Sequence, residues 1–553
     1  MAHPMFVKHQ DLLASAVHAL ESRGYWSPYA ESPKAYGENA IEEGSKAFVA
    51  YQDAQFYLDQ PGVVGRGGGE VSPYGFPLNV SYPKCSPDAL IAAGKAAMPA
   101  WMKAGPDVRA GVCAEILARF NAHSMEIAHA VIHTTGQAFM MAFQAGGPHA
   151  QDRGLEAVAL AWREMKQIPY HAVWEKPQGK APPLRMEKRY TVVPRGVALV
   201  VACSTFPTWN GYPGLFASLV TGNAVIVKPH PSAILPLAIS VAIARQTLKE
   251  AGFDPNLVSL LVDTAEAPIT KDVALKPDIR LIDYTGGPDF GQWLEDSARQ
   301  ALVFSEKAGV NCIVIDSTDN YAGLLRNLSF TLCLYSGQMC TTPQTLFLPQ
   351  DGLLTPEGPV GFDQFCRDLA NSIGKFVEDP GRAVEVLGAI QSTATLDRLL
   401  GAESLGEVIR PSAALVHPLW PEARIRTPLL LKAPVADSEA WMEERFGPIS
   451  FVVQTVTTAE SIAVAERTIR EKGAITFSVY STNDNVLELA EETSLRAGVA
   501  LSINLTGGVF VNQSAGFSDF HATGANPAAN ASLTDAAFVA SRFFVVQSRR
   551  HIP

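Results

Sequence analysis

Residues 335–342 of the chain are Tyr-Ser-Gly-Gln-Met-Cys-Thr-Thr, and the cysteine among them is Cys340. A single free cysteine is usually a small buried apolar residue. Glu306, however, lies 34 residues before Cys340 and follows the apolar run 301–304, which is typical of a strand that ends at a sheet edge. A thiol that attacks a carbonyl and a carboxylate that later activates water are the two protein groups needed to oxidise an aldehyde through a thioester when a hydride acceptor is present.

This spacing and these motifs resemble the aldehyde dehydrogenase superfamily, in which the nucleophilic cysteine occupies a Gly-Gln-x-Cys turn and the base glutamate lies at the same distance before it. The resemblance covers nearly the whole chain. It implies an α/β fold with a Rossmann-type cofactor domain, an α/β catalytic domain and a small bridging β-sheet for oligomerisation. Residues 25–29 and 31–37 are most similar to the PaaN branch, named for phenylacetic acid degradation, which suggests a semialdehyde, or a CoA-linked one, from aromatic-acid breakdown.

Length and composition indicate a multidomain globular protein. The 553 residues exceed what one core can hold, and 47% hydrophobic with 18% charged residues is typical of a well-packed chain. A net charge of −11 argues against nucleic acid as a partner. The seven cysteines show no paired close spacing, so we expect neither a metal site nor a disulfide framework. The first residues lack a signal-peptide pattern and no apolar run is long enough to cross a bilayer, which favours a cytoplasmic location.

The order of predicted elements divides the chain into five regions. Strong helical periodicity fills residues 87–166, and buried apolar strands alternate with helices from Val197 onward, which predicts a parallel sheet covered on both faces. Residues 184–194 and 541–547 alternate as half-exposed strands, and the resemblance implies that they form the bridging sheet of a homodimer or homotetramer. The expected regions are 1–181 (N-terminal helices and first part of the cofactor domain), 182–195 (bridging strand), 196–305 (Rossmann-type core), 306–510 (catalytic domain) and 511–553 (C-terminal return and bridging strand).

The end of the second predicted strand of the Rossmann-type core bears on the cofactor. An ordinary dinucleotide site places an acidic residue there to hold the ribose hydroxyls, whereas this chain has Lys228, His230 and Pro231. Many aldehyde dehydrogenases that favour NAD carry glutamate in the position of Pro231. A cation without that glutamate tolerates a 2′-phosphate, so the sequence favours NADP, with NAD as the alternative.

Two further segments carry cofactor motifs. Residues 284–291 follow a strand and open a helix, so their glycines let the backbone approach a pyrophosphate. They resemble the family's Thr-Gly-Ser-x-x-x-Gly loop, with Gly287 in the serine position. Residues 444–448 match the segment whose glutamate, two residues before a phenylalanine, binds the nicotinamide ribose. The implied cofactor-binding residues are Lys228, Gly286, Gly287, Gly291, Glu444 and Phe446.

The sequence departs from the family at Thr205. The family normally has asparagine immediately before Phe-Pro, where its amide donates to the oxyanion, and loss of one such donor typically lowers the rate about 10²–10³-fold. We expect the Thr205 hydroxyl to donate instead, which makes Cys340, Glu306 and Thr205 the predicted catalytic set. Asn210, five residues on, is an alternative donor, and slow turnover is a third possibility.

Two other functions stay open from the sequence. A CoA-acylating aldehyde dehydrogenase would transfer the acyl group to CoA, but those enzymes usually lack the base glutamate that Glu306 provides here. A non-catalytic subunit or scaffold would explain Thr205 as decay, but the intact set of Cys340, Glu306 and Glu444 argues against it. The segment 517–526 departs from the family's usual Pro-Phe-Gly-Gly motif near the aldehyde entrance, so the sequence does not name the aldehyde.

Overall fold

The computed structural model describes residues 3–307, 309–510 and 536–553. The segment 517–526 lies outside the described residues. The N-terminal region is mainly helical, and its longest helix bends at Gly105, where φ is 83° and a proline follows. Its elements are α1 (Pro4–Ser22), α2 (Ala40–Val49), β1 (Val63–Gly67), β2 (Tyr82–Cys85), α3 (Pro87–Ala122), α4 (Ser124–Thr135), α5 (Phe139–Gly146) and α6 (Pro148–Lys166).

Two strands then lead into a five-stranded parallel sheet, the cofactor sheet. The elements are β3 (His171–Gln178), β4 (Ala181–Pro194), β5 (Val197–Val201), α7 (Pro207–Val220), β6 (Ala224–Lys228), α8 (Leu235–Glu250), β7 (Val258–Leu260), α9 (Thr270–Ala274), β8 (Ile279–Gly286), α10 (Pro288–Ser297) and β9 (Leu302–Lys307). The strand order is β7-β6-β5-β8-β9. Successive strands are added on one side of β5 up to β7 and on its other side from β8 onward, so the strand order reverses between β5 and β8. The crevice at such a switch in strand order is where α/β sheets bind ligands.

A seven-stranded sheet, the catalytic sheet, follows in the order β14-β17-β18-β11-β10-β19-β20. Its pairs are parallel except for β14 with β17. The elements are β10 (Asn311–Ile315), α11 (Tyr321–Cys333), β11 (Pro343–Pro349), β12 (Leu353–Thr355), β13 (Gly358–Val360), α12 (Phe362–Phe376), α13 (Pro380–Leu387), α14 (Thr393–Gly401), β14 (Glu407–Arg410), β15 (Ala414–Leu415), β16 (Ile425–Arg426), β17 (Leu429–Pro434), α15 (Ser438–Trp441), β18 (Ile449–Thr455), α16 (Thr458–Lys472), β19 (Thr476–Tyr480), α17 (Asp484–Ala497) and β20 (Ala500–Ile503).

The C-terminal residues form α18 (Ala536–Ala540) and β21 (Phe543–His551), and β21 pairs with β4 in a three-stranded antiparallel sheet ordered β21-β4-β3. Between α18 and β21, the fully buried Arg542 donates to both carboxylate oxygens of Asp283 on β8, at 2.5 and 2.7 Å. Its guanidinium also lies 4.2 Å from the ring centroids of Phe304 and Phe538. This buried cation anchors the C-terminal strand to the cofactor sheet.

The predicted α/β class is confirmed, because two largely parallel sheets flanked by helices account for most of the described chain. Two details differ from the regions expected from the sequence. Residues 171–178, expected within the N-terminal region, form strand β3 of the antiparallel sheet. Strand β9 continues two residues past the expected boundary at 305, so Glu306 is carried by the cofactor sheet. In the described ranges, every helix is too short or too polar to span a membrane.

Candidate active site

A cavity of about 510 Å³ opens at the carboxyl ends of β5, β8 and β9, where these strands face the catalytic sheet. The residues that line it come from both sheets and their loops. They are Cys203, Ser204, Thr205, Phe206, Asn210, His230, Thr285, Gly286, Gly287, Pro288, Glu306, Gln338, Cys340, Gln391, Ser392, Thr395, Arg398, Glu444 and Phe446. Seven of the nine residues predicted from the sequence are therefore brought together in one cavity.

The turn before Cys340 has a strained backbone. Tyr335, Ser336 and Gly337 have φ values of 49°, 48° and 65°, three consecutive residues in the left-handed region. A side chain at Gly337 would collide with the backbone of Gly447. Such strain persists only where the surroundings impose it, and here Ser336 Oγ donates to two backbone carbonyls at 3.1 and 3.2 Å, while the buried Tyr335 hydroxyl donates to the carbonyl of Thr135.

Asn311, the first residue of β10, holds the backbone that carries Cys340. Its Nδ2 donates to the carbonyls of Cys340 and Thr342 at 2.7 and 3.0 Å. Its Oδ1 accepts from the amides of Ile475 and Thr476, both at 3.0 Å. One buried side chain thereby fixes the thiol loop to β10 and to the start of β19.

Burial and Glu306 together control the protonation of Cys340. Burial raises the pKa of the Cys340 thiol well above its ordinary value, and the negative charge and hydrogen bond of Glu306 raise this pKa further. The positive charge of Arg153 acts in the opposite direction and lowers this pKa. Because a hydrogen bond joins the two groups, the Glu306 carboxylate is placed to accept the thiol proton.

The segment that follows β5 supplies polar groups to the same cavity. Gln137 Nε2 donates to the backbone carbonyl of Thr205 at 2.7 Å and so fixes the position of this residue. Asn210, in the first turn of α7, donates from Nδ2 to Cys203 Sγ at 3.4 Å. Its Oδ1 is buried without a hydrogen-bond partner among the described residues. Thr205 and Asn210 both line the cavity, and Asn210 Oδ1 can accept a hydrogen bond from a molecule bound there.

The opposite wall combines an open backbone with a buried acid. Nothing lies within 4 Å of the position a side chain at Gly287 would take, and Gly287 immediately precedes α10. Burial raises the pKa of Glu444 to about 7, although the charge of Arg398 opposes this rise. Arg398 Nη1 also donates to the carbonyl of Phe446 at 2.7 Å, which holds the loop that carries Glu444.

Two predicted cofactor residues do not line the cavity. Gly291 lies within α10, where a side chain would press on the stem of Lys307, so its role is close packing of helix on strand. Lys228 is 4% exposed, and its Nζ lies 2.5 Å from Asp263 Oδ1. The sequence predicted that Lys228, at the end of β6, would be available to a cofactor phosphate. In the structure Lys228 is already paired with Asp263.

Sequence reasoning missed the contribution of α14 and the residues before it. Gln391, Ser392, Thr395 and Arg398 line the cavity, and Gln391 is tied to the turn before Cys340 because its backbone amide donates to Gln338 Oε1 at 2.8 Å. The Ser-x-x-Thr spacing is a helix N-cap signal, and Ser392 Oγ does accept from the amide of Thr395. That signal locates a helix start but carries no information about a cavity.

The other cysteines do not form disulfides. All seven cysteines are free, and Cys312 and Cys333 are buried in the core as expected. Within the described ranges, no group of three or more histidine, cysteine, aspartate or glutamate side chains could hold a metal ion. The side chains that line the cavity include a thiol, a carboxylate and several hydrogen-bond donors.

Comparison with known proteins gives a consistent result. The family model described as "Aldehyde dehydrogenase family" matches residues 81–524. The crystal structure of an NAD-dependent aldehyde dehydrogenase from Burkholderia multivorans is 58% identical, with a TM-score of 0.98 and full coverage of both chains. A Thermus 1-pyrroline-5-carboxylate dehydrogenase with bound NAD shares the fold at 17% identity, with a TM-score of 0.75 over 96% of this chain and 99% of that one.

Curated relatives are more distant in sequence. The N-succinylglutamate 5-semialdehyde dehydrogenase of Chromobacterium violaceum is 26% identical over 69% of this chain and 74% of its own length. A putative aldehyde dehydrogenase, FUS7, of Gibberella fujikuroi is 24% identical over 50% of this chain and 57% of its own length. Because the family model spans most of the chain and the cavity unites Cys340 with Glu306, the chain belongs to the aldehyde dehydrogenase family.

Proposed function

We propose that the chain oxidises an aldehyde to a carboxylic acid, with NAD or NADP as the hydride acceptor, through a thioester on Cys340. The observation that carries this proposal is the contact between Cys340 and Glu306, which reach one cavity from two different sheets and share a hydrogen bond. A buried thiol with a raised pKa needs a base before it can attack. Glu306 is the carboxylate positioned to be that base.

The proposed reaction uses three side chains in sequence. Glu306 accepts the Cys340 proton, the sulfur forms a bond to the aldehyde carbon, and the carbonyl electron pair moves to oxygen, where the Thr205 hydroxyl donates a hydrogen bond. A nicotinamide cofactor, when bound, accepts the hydride that leaves this carbon. After this first proton has passed to solvent, Glu306 accepts a proton from water as the water oxygen attacks the thioester. The carbon–sulfur bond breaks, the acid leaves, and Cys340 is released as a thiolate that recovers its proton from Glu306.

The cavity fits a nicotinamide dinucleotide in several respects. The open position at Gly287 and the amino end of α10 suit a phosphate, because backbone can approach there and the helix amides favour negative charge. The buried Glu444, held near Arg398, suits a ribose hydroxyl in a dry site. We propose Gly286, Gly287, Glu444 and Phe446 as cofactor contacts, while Gly291 and Lys228 support them from behind the cavity wall.

The substrate is proposed as a semialdehyde of the kind formed in aromatic-acid breakdown, free or linked to CoA, as in the PaaN branch. Support comes from the N-terminal similarity and from the semialdehyde substrates named for a curated relative. The test is a screen of aliphatic, aromatic and semialdehyde substrates with NAD and NADP, with reduced cofactor and carboxylic acid both quantified. Equal yields of the two products are expected; absence of turnover with every aldehyde would contradict the proposal.

The contact between Glu306 and Cys340 also separates the alternatives. A CoA-acylating enzyme needs no base for water, so the same screen, run with and without CoA, should give acid rather than acyl-CoA. A scaffold subunit would bind partners without any need for the strained thiol turn. Acid formation without CoA excludes both alternatives in a single assay.

Thr205→Val is expected to lower kcat/KM about 10²–10³-fold, because it removes a donor to the oxyanion while keeping the side-chain shape. Cofactor affinity, measured by fluorescence titration, should not change. Thr205→Ser keeps the hydroxyl and should retain most activity. If Asn210→Leu abolishes turnover while Thr205→Val does not, Asn210 is the donor and the role of Thr205 is wrong.

We propose that the three-stranded sheet associates copies of the chain into a homodimer or homotetramer. Its outer strands expose Val173, Phe544, Val545 and Val546, each between 42% and 52% accessible, and such apolar edges invite a partner. Light scattering should therefore give a multiple of the 59.3 kDa chain mass. Val546→Asp should shift the mass towards the monomer, whereas Tyr57→Asp, at an exposed apolar residue elsewhere, should not; a monomeric wild type would contradict this.

A further inference from the structure

The buried ion pair between Lys228 and Asp263 bears on which dinucleotide this site accepts. We propose that Asp263 neutralises Lys228 and thereby makes the chain select the dinucleotide that lacks a 2′-phosphate. The inference deepens the proposed function and rests on it, because a nicotinamide dinucleotide must bind in the cavity. It assigns to Asp263, which no motif in the sequence singles out, the role of a positioning residue that acts through Lys228.

The position of the pair in the cofactor sheet supports this role. Lys228 is the last residue of β6, and Asp263 follows the adjacent parallel strand β7 by three residues. The carboxyl ends of these strands form the same edge as the cavity, and His230, two residues after Lys228, lines it. In sheets with this strand order, the end of the second strand is where the adenosine ribose of a dinucleotide is held.

The pair is rigid as well as buried. Lys228 is 4% and Asp263 2% exposed, and Nζ lies 2.5 Å from Oδ1. The second carboxylate oxygen of Asp263 accepts from the backbone amide of Ile269 at 3.1 Å, which fixes the side chain. The contact between Lys228 Nζ and Asp263 Oδ1 is a buried ion pair, and the carboxylate favours the charged form of the lysine. The acid thus cancels the lysine charge where solvent screens little.

In the described segment 229–234, which follows β6, no lysine or arginine replaces the charge of Lys228. Burial and the Lys228 charge lower the pKa of His230 to about 4, so this imidazole is neutral at physiological pH. Its Nδ1 lies 2.7 Å from Ser232 Oγ, which also accepts from Gln391 Nε2 at 2.6 Å. A 2′-phosphate would bring about two negative charges to a segment whose lysine is neutralised and whose histidine is uncharged.

The experiment measures dissociation constants rather than turnover. NADH and NADPH are titrated into the full-length Cys340→Ser protein, and binding is followed by nucleotide fluorescence at pH 6.5. The starting protein should bind NADH at least about tenfold more tightly than NADPH. Asp263→Asn exposes the lysine charge and should lower the ratio of the NADPH to the NADH dissociation constant about tenfold.

Several variants make the outcome decisive. Asp263→Glu retains the charge and should retain the ratio within about twofold, and Asp263→Ser serves if the asparagine variant fails to fold. Asp278→Asn removes an acid at the opposite end of the same sheet, where it pairs with Lys95, and should leave the ratio unchanged. A starting preference for NADPH, or an unchanged ratio in folded Asp263→Asn and Asp263→Ser, overturns the inference. Failure to bind either nucleotide instead contradicts the proposed function.

Discussion

Cys340→Ala should lower aldehyde-dependent formation of reduced cofactor about 10⁴- to 10⁶-fold, because no covalent intermediate can form without the sulfur. Cofactor binding should persist, since Cys340 is proposed to bond to the aldehyde carbon. Initial rates with the best aldehyde of the screen, together with nucleotide titration, measure the two effects separately. This is the largest single effect that the proposed mechanism predicts.

Cys203→Ala is the matched control, because Cys203 is the second thiol that lines the cavity. Its sulfur accepts hydrogen bonds from the amide of Phe206 and from Asn210, both at 3.4 Å, and no step of the mechanism uses it. Activity within about tenfold of wild type is expected. Loss of activity in Cys203→Ala with retention in Cys340→Ala would mean that the nucleophile has been assigned to the wrong thiol.

Glu306→Gln should lower steady-state turnover about 10²–10⁴-fold, the usual contribution of a general base. Loss of the Glu306 charge lowers the pKa of Cys340, so the thiolate can still form and attack the aldehyde. Gln cannot accept a proton from water, so the thioester formed in the first turnover should accumulate. Mass spectrometry of the denatured protein should then show the acyl adduct on Cys340. A fully active Glu306→Gln protein without an adduct would contradict the role of Glu306 as the base.

The same variant should change the pH dependence of Cys340 alkylation. The Glu306 carboxylate raises the pKa of the thiol, so its removal lowers that pKa and moves thiolate formation to lower pH. Iodoacetamide should therefore label Glu306→Gln faster than wild type at neutral pH, although turnover is lower. Unfolding would also expose the thiol and accelerate labelling, so the circular dichroism spectrum of Glu306→Gln should match that of wild type. Labelling of a folded Glu306→Gln protein that is no faster than wild type would contradict the electrostatic contact.

Sequence patterns predicted those features of this protein that are determined within a short segment or by one spacing. The continuous apolar runs that became β5 and β6 indicated a parallel sheet, since strands covered on both faces have no polar side. The fixed distance between Glu306 and Cys340, read as a family resemblance, identified the two groups that meet in the cavity. Each of these features is contained in a short segment or in one spacing.

Contacts between segments far apart in sequence were beyond such reasoning. Asp263 cancels the charge of Lys228 only because β6 and β7 lie side by side, and the sequence-based preference for NADP did not include that pairing. Arg398 on α14 lines the cavity, and a hydrogen bond from the Gln391 amide to Gln338 joins the residues before that helix to the turn before Cys340. Gly291 matched a cofactor motif, yet its neighbour is the stem of Lys307. The position of a residue within a sequence motif does not reveal which residues surround it in the folded protein.

The proposed nucleophile and its proposed base are held by different sheets. Glu306 is the penultimate residue of β9 in the cofactor sheet, and Cys340 lies in the loop before β11 of the catalytic sheet. The hydrogen bond between Glu306 and Cys340 therefore depends on how the two halves of the molecule pack against each other. Mild heating or low urea that weakens the packing between the two halves should inactivate the enzyme, while circular dichroism still reports intact helices and strands. Inactivation would then precede melting, and its early phase would be reversible on cooling or dilution.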